Sequence, residues 1–313
     1  MDDLSGKVAL ITGASSGIGA ATAILFARRG AKLSLSGRNE VDLQRVGDEC
    51  VRVGSEQPLV VVAELSCEPD VTNLVDTTVK KFGRLDILVN NAGILDVGTI
   101  ETTSLEQYDR VMGVNVRAAF QLTMLCVPHL IATSGNIVNV SSGGGTRSSP
   151  GVLAYCMSKS AVDQMTGCTA LELASKGVRV NSVNPGVIVT EIFSRAKMSA
   201  EEVAKFMENA KGIHPLGRVG DAEEAAQAIA FCGFQLCIIH YPRTSSRRRR
   251  MARRLTERYH SQFTNRINGF RRSRSLAITS SIATGEHGGH VRPNPSPVGS
   301  WELPKSEEKK LQG

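Results

Sequence analysis

The chain has 313 residues, 41% hydrophobic and 21% charged, which excludes a wholly disordered or fibrous protein and suits one α/β domain of roughly 250 residues plus an appendage. Its 37 basic and 30 acidic residues give a formal charge of +7, and the excess lies in residues 240–313, where 16 Lys or Arg face 5 Asp or Glu. Seven cysteines, Cys50, Cys67, Cys126, Cys156, Cys168, Cys232 and Cys237, form an odd number without a C-x-x-C pair, which argues against both a disulfide framework and a zinc site.

The N-terminus carries no basic segment followed by an apolar run, and no stretch approaches the roughly 18 apolar residues of a membrane span, so a cytoplasmic protein without a membrane is expected. From residue 7 to about 231, short β-branched runs alternate with longer helical patterns, the signature of βαβ units and a parallel sheet. Strands are predicted at 8–12, 32–36, 59–63, 87–90, 135–140 and 179–183. Their nearly continuous apolar character suits strands covered on both faces. Helices are predicted at 20–29, 71–82, 105–130 and 154–175, with two later ones opened by capping boxes at Ser199/Glu202 and Asp221/Glu224. Met198 and Val203 stand at the spacing of a hydrophobic staple.

The first strand ends in Thr12-Gly13-Ala14-Ser15-Ser16-Gly17-Ile18-Gly19, and a helical pattern follows at once. Glycines there remove Cβ atoms that would hold a diphosphate off the backbone, while N–H groups and the helix dipole face the anion. A glycine-rich turn without a ligand is the bland alternative. The spacing G-x-x-x-G-x-G resembles the short-chain dehydrogenase/reductase family, which uses it to hold NAD(P). The resemblance implies a Rossmann-type doubly wound parallel sheet in a single α/β domain over 1–241, while the Ser, Arg, Pro and Gly-rich composition of 242–313 predicts a basic, disordered tail. It assigns Gly13, Ser15, Ser16, Gly17, Ile18 and Gly19 to the cofactor.

The second strand ends in Ser36-Gly37-Arg38-Asn39. No carboxylate stands there to bind ribose hydroxyls and repel a 2′-phosphate, so Arg38, with Asn39, favours NADP(H) over NAD(H). A solvated surface charge is the other reading of Arg38. Glu64-Leu65 closes the third strand where the family usually has an aspartate, and Glu64 is a candidate contact to the adenine edge. Asn90-Asn91-Ala92-Gly93 matches the family's motif that shapes the adenine-side wall, which assigns Asn91, Ala92 and Gly93 to the cofactor.

Asn115 falls within the long fourth predicted helix, where a weak helix former can distort the hydrogen-bond ladder. The family resemblance gives its position a water that links Lys159 to solvent. Tyr155-Cys156-Met157-Ser158-Lys159 puts a phenol and an ammonium on one helical face. A tyrosine of ordinary pKa, about 10, is a poor base near neutrality, and a close lysine with the positive nicotinamide is expected to lower it. Ser142, thirteen residues upstream, matches the family's serine that hydrogen-bonds the substrate oxygen. Asn184-Pro185-Gly186-Val187-Ile188-Val189-Thr190 resembles the turn that approaches the nicotinamide, which assigns Pro185, Gly186, Ile188 and Thr190, along with Tyr155 and Lys159, to the cofactor.

The implied chemistry is reversible hydride transfer between the nicotinamide and a small carbonyl or alcohol. Asn115, Ser142, Tyr155 and Lys159 are the catalytic residues, and no metal is involved. The likeness is to 3-oxoacyl carrier-protein reductase members. The segment 191–217 matches the region that covers the substrate, and its few polar anchors suit an apolar or acyl substrate. The resemblance stops after Phe231: the family's last strand, which also serves subunit pairing, has no counterpart, and 233–241 is the only candidate substitute. The abrupt change reads as an alternative or misassigned end, and a homo-oligomer is expected if the sheet is complete. Two other readings stay open: an NAD-dependent alcohol or hydroxysteroid dehydrogenase, and a lapsed fold that binds nucleic acid through the arginines of 247–258. The second is disfavoured because the tail has neither a recognition fold nor an aromatic platform.

Overall fold

The computed structural model describes residues 3–233 apart from 197 and 215. Six parallel strands form one sheet: β1 Val8–Thr12, β2 Lys32–Gly37, β3 Leu59–Val62, β4 Ile87–Asn90, β5 Asn136–Val140 and β6 Arg179–Val183. Their order, β3-β2-β1-β4-β5-β6, reverses between β1 and β4. The expected doubly wound fold is therefore present, and its crevice opens at the C-terminal ends of those two strands.

Helices alternate with the strands: α1 Gly17–Arg28, α2 Glu40–Arg52, α3 Glu68–Phe82, α4 Leu105–Met112, α5 Ala118–Thr133, α6 Gly143–Thr146, α7 Leu153–Leu173, α8 Ile192–Arg195, α9 Ala200–Ile213 and α10 Ala222–Gly233. On β1, Ala9 and Ile11 pack with α1, α2 and α10, through residues such as Phe26, Leu43 and Ile229. Val8 and Leu10 point to the opposite face, toward Leu74 of α3, Leu122 of α5 and Leu173 of α7. Burial on both faces is why these strands read as apolar runs rather than alternating ones. Several helices start earlier than their apolar pattern because the first turn is glycine or charge, as in Gly17-Ile18-Gly19 and Glu68-Pro69-Asp70.

Helices α4 and α5 continue through a π-helical turn, Gly113–Arg117, into one run of 29 residues, Leu105–Thr133. By length and composition that run is apolar enough to cross a membrane, which corrects the expectation that no stretch approaches a span. Here it covers the sheet: Ala118, Leu122, Cys126 and Leu130 are buried against Leu10, Leu88 and Ile137.

Both capping boxes are formed. Ser199 and Glu202 exchange bonds at the start of α9, and Asp221 and Glu224 do so before α10, each at 3.2 Å. Met198 and Val203 meet in one apolar cluster, as a staple requires. At the far end of α10, Arg179 donates to the carbonyls of Cys232 and Gly233, both at 3.1 Å, satisfying groups that a helix C-terminus leaves open. Gly233 is the last described residue of α10; the rest of the candidate strand 233–241 and the basic tail 242–313 lie outside the described residues. Among the described residues no strand lies beyond β6.

Asp86 ties the entry to β4 to the entry to β1. It is buried, accepts from the Val8 N–H at 3.0 Å, and pairs with Arg84 and Lys7 at 2.7 and 3.2 Å. Burial alone would raise its pKa, but the bonds from Arg84, Val8 and Lys7 outweigh it and hold the carboxyl below 3.8. A carboxylate lowered in the folded state contributes stability that is present above the unfolded value and lost as pH falls through the folded one. Asp86→Ala is expected to cost about 1–3 kcal/mol at pH 7, because the buried Val8 N–H loses its acceptor. Urea unfolding at pH 7 and pH 3 checks this, and a variant as stable as the parent at pH 7 removes the tie.

Candidate active site

The β1–α1 turn is shaped by what it excludes. Gly13 and Gly17 adopt φ of +63° and +54°, where a side chain is strained. A Cβ on Gly19 would stand 2.2 Å from the Gly13 carbonyl oxygen and 2.5 Å from Asn91 Nδ2. Ser16, the N-cap of α1, makes no side-chain cap bond, and the first turn carries no acidic residue. A helix N-terminus so left open, behind glycines that clear its approach, fits the diphosphate of a dinucleotide. Ser15 is buried against this turn, and Ile18 packs down into the core.

Asn91 holds the turn from below: Nδ2 donates to the carbonyls of Thr12 and Gly13 at 2.8 and 3.2 Å. Thr12 Oγ1 in turn accepts the N–H groups of Asn91 and Ala92, both at 3.1 Å. Asn90 donates to Asn139 Oδ1 at 2.9 Å, and Asn139 donates to Thr166 at 2.8 Å. This buried chain of amides stitches β4, β5 and α7 together. The Asn-Asn-Ala-Gly motif thus sets the β1–α1 turn and the sheet at once.

At the ends of β2 and β3, Arg38 is largely exposed and pairs with Glu64 at 3.5 Å. Glu64 also accepts the Ser66 N–H at 3.2 Å. Asn39 caps α2, accepting from the Asp42 N–H at 3.1 Å and donating to the Asp42 carboxylate at 2.6 Å. Leu65 is buried in the core between the sheet and α3. The hydroxyl of Ser36, two residues before Arg38, is buried without a hydrogen-bond partner.

The four expected catalytic residues come from three places: the π turn, the end of β5 and α7. Ser142 caps α6 at the end of β5, and its Oγ accepts the Gly144 N–H at 3.1 Å. Tyr155 and Lys159 lie one turn apart on α7, with Nζ 5.7 Å from the ring centroid. Lys159 is buried and donates to the Val140 carbonyl at 2.8 Å. Asn115 sits in the π turn, where the ladder is distorted as expected, and is buried. Its amide donates to the Ile94 carbonyl and to Ser158 Oγ, both at 2.9 Å, and its oxygen accepts the Ile94 N–H at 2.8 Å. Gly93 faces both Asn115 Oδ1 and Lys159 Nζ; a Cβ there would be 3.3 Å from each.

Burial pulls the Lys159 ammonium down from 10.5 to about 8, with Asp163 opposing. Burial also raises the Tyr155 phenol above 10.0; the Ser142 hydrogen bond works against that, and Cys156 adds to it. The expected lowering of Tyr155 by Lys159 is therefore not achieved by the protein's own groups. Within the chain, desolvation outweighs the Ser142 hydrogen bond.

The turn after β6 closes the site. Pro185 accepts the Gly143 N–H at 2.8 Å, and Ile188 bridges to Gly220. Thr190 lies against the glycine turn, its Cγ2 3.0 Å from where a Cβ of Gly17 would stand. Over Tyr155 lies an apolar cluster made of Leu95, Val152 and Val187 with Phe193 of α8 and Val203 and Met207 of α9.

Sequence reasoning missed several contributors. Ser158, inside the Tyr-Lys motif, accepts from Asn115 and donates to the Tyr155 carbonyl at 2.7 Å. Asp163, one turn beyond Lys159, accepts from Asn184 at 2.9 Å. Position on the motif's own helix was a usable signal for both. His214 had none.

A family model for short chain dehydrogenases matches residues 7–201. The 3-oxoacyl-[acyl-carrier-protein] reductase FabG of Thermotoga maritima is 40% identical over 230 residues, spanning 73% of this chain and 90% of the relative. Cyclohexanol dehydrogenase of an Acinetobacter strain is 40% identical over 228 residues, 72% and 86% of the two chains. Among solved structures, a Caenorhabditis elegans short-chain dehydrogenase/reductase of unknown function with cofactor superposes with a TM-score of 0.69 at 37% identity, covering 74% of this chain and 89% of that one. A Brucella melitensis 3-ketoacyl-(acyl-carrier-protein) reductase complexed with NADH gives 0.68 at 34% identity, covering 74% and 93%.

Proposed function

The chain belongs to the short-chain dehydrogenase family and is an NAD(P)-dependent oxidoreductase; on that premise we propose that it is an NADP(H)-dependent carbonyl reductase or secondary alcohol dehydrogenase acting on a small apolar or acyl substrate. The observation that carries this reading is the convergence of Ser142, Tyr155 and Lys159 beneath an apolar cluster, beside a glycine turn open to a diphosphate. Bound, the dinucleotide supplies the hydride or accepts it, and its oxidised ring adds a positive charge. Ser142 orients the substrate oxygen by a hydrogen bond. Tyr155 gives that oxygen a proton during reduction and removes it during oxidation. Lys159 holds the cofactor's ribose and, together with the charged ring, favours the phenolate. Asn115, whose side chain is committed to Ile94 and Ser158, completes the relay to Lys159 through a water.

The cofactor set is Gly13, Ser15, Ser16, Gly17, Ile18, Gly19, Arg38, Asn39, Glu64, Leu65, Asn91, Ala92, Gly93, Tyr155, Lys159, Pro185, Gly186, Ile188 and Thr190. Leu65 and Asn39 contribute by backbone, since the Leu65 side chain is buried and the Asn39 side chain caps α2. An apolar or acyl substrate is supported by Leu95, Val152 and Phe193 around Tyr155. The relatives' names, an acyl-carrier-protein reductase and a cyclohexanol dehydrogenase, belong to the same range of chemistry. Self-association is supported by exposed Phe120 and Met124 on α5 and by an open apolar cleft lined by Met112, Val116 and Met165. A cytoplasmic location is supported by the free cysteines, Cys50, Cys67, Cys126, Cys156, Cys168 and Cys232, among the described residues.

One observation favours the NAD-dependent reading. Glu64 lies 3.5 Å from Arg38 and competes with a 2′-phosphate for the guanidinium. Titration of nicotinamide fluorescence separates the two. With NADP(H) as the cofactor, Arg38→Ala weakens NADPH by about ten- to a hundredfold, the value of one or two charge-assisted hydrogen bonds, and leaves NADH nearly unchanged. Equal effects on both cofactors would establish the NAD-dependent reading instead.

A further inference from the structure

His214 follows α9 as its C-cap, and the family resemblance assigns it nothing. Its Nε2 accepts the Val187 N–H at 3.0 Å. The ring also lies against Gly186: a Cβ there would stand 2.3 Å from His214 Cε1 and 2.9 Å from Nε2. Gly186 thus has no side chain because an imidazole occupies the space, and the turn after β6 rests directly on the end of the helix that covers Tyr155.

The other bonds of this turn leave a specific task for His214. Pro185 is held to the Ser142 loop through Gly143, at 2.8 Å. Beyond it, the Val187 carbonyl accepts the Gly220 N–H at 2.9 Å, and Val189 N–H donates to the Gly220 carbonyl at 3.0 Å. Neither link reaches α9. Val187 itself belongs to the apolar cluster with Tyr155, Phe193, Val203 and Met207. Among the described residues, His214 is the polar tie between the two halves of that cluster, the turn on one side and α9 on the other.

We propose that His214 is a positioning residue that locks α9 onto the 185–190 turn, setting the depth of the substrate space over Tyr155. Its contacts in the turn are the Val187 N–H and Gly186, and it acts through them. That this space receives the substrate rests on the function proposed above, whereas the tie itself does not.

Hydrogen–deuterium exchange on the full chain without cofactor tests the tie directly. His214→Ala should speed exchange of the Val187 amide about three- to tenfold, the value of one ordinary hydrogen bond, and His214→Gln, which keeps an acceptor, should restore most of the protection. Steady-state kinetics with NADPH and an apolar ketone then test the role. KM for the ketone should rise about three- to tenfold in His214→Ala with kcat within about twofold, the signature of binding lost equally from ground and transition states, and His214→Gln should recover KM. Gly186→Ala should damage KM less in the His214→Ala background than alone, because the methyl then has space. Unchanged exchange at Val187 in His214→Ala overturns the tie. Faster exchange with unchanged KM overturns the positioning role. A parent chain that turns over no ketone while the exchange result holds counts against the proposed function and leaves the tie standing.

Discussion

Tyr155→Phe is expected to reduce turnover of NADPH with a ketone by about a hundred- to ten-thousandfold, the range for loss of a positioned general acid, with cofactor affinity nearly unchanged. The phenyl ring keeps the contacts that Tyr155 makes in the apolar cluster with Leu95, Val152 and Phe193, so only the hydroxyl and its bond with Ser142 are removed. A parallel fall in kcat and kcat/KM is therefore expected, without loss of fold by circular dichroism. The direction of the pKa shifts sharpens the expectation. Burial keeps the Tyr155 phenol protonated above its ordinary value, which suits proton donation in reduction at neutral pH. Oxidation needs the phenolate, which must draw on the positive charge of the oxidised cofactor and on Lys159, itself lowered by burial to about 8. Full turnover by Tyr155→Phe would remove the phenol from the chemistry.

The doubly wound sheet was legible because its strands are buried on both faces. Val8 to Thr12 and Ile87 to Asn90 have no polar alternation to confuse with a surface strand, and each ends in a turn rich in glycine or asparagine. The candidate catalytic residues came from motif order and spacing, and the fold places Tyr155 and Lys159 one turn apart with Ser142 beside them. What remained hidden depends on tertiary convergence. An asparagine in a long helix reads equally well as solvated, and only the fold shows Asn115 buried in a π turn clasping Ile94. The Arg38–Glu64 pair joins the ends of β2 and β3 and follows from the register Gly37 to Val62, which adjacency of the two strands could have suggested. Spacing set Lys159 beside Tyr155 but said nothing of the Val140 carbonyl that accepts from its ammonium. His214 stands alone after a helix, and no period or motif marks a side chain whose partner is a backbone N–H 27 residues away.

The second large effect is expected at Gly19. Its Cβ would fall 2.2 Å from the Gly13 carbonyl oxygen and 2.5 Å from Asn91 Nδ2, and neither neighbour is free to retreat. Gly13 is held at φ +63°, and Asn91 is pinned by its bonds to Thr12 and Gly13. Gly19→Ala must therefore push the turn away from the α1 N-terminus, and overpacking of this kind costs about 1–3 kcal/mol or more. Spent on the diphosphate cradle, that is about a ten- to hundredfold loss of NADPH affinity, read by nicotinamide fluorescence. Gly167, within α7, is the contrast: its Cβ would meet nothing within 4 Å, and its φ is not positive. Gly167→Ala should leave NADPH binding intact and raise stability by about 0.4–1 kcal/mol through the unfolded chain. If Gly19→Ala binds NADPH as tightly as Gly167→Ala does, the dinucleotide does not lie on this turn, and the cofactor site must be sought elsewhere along the crevice.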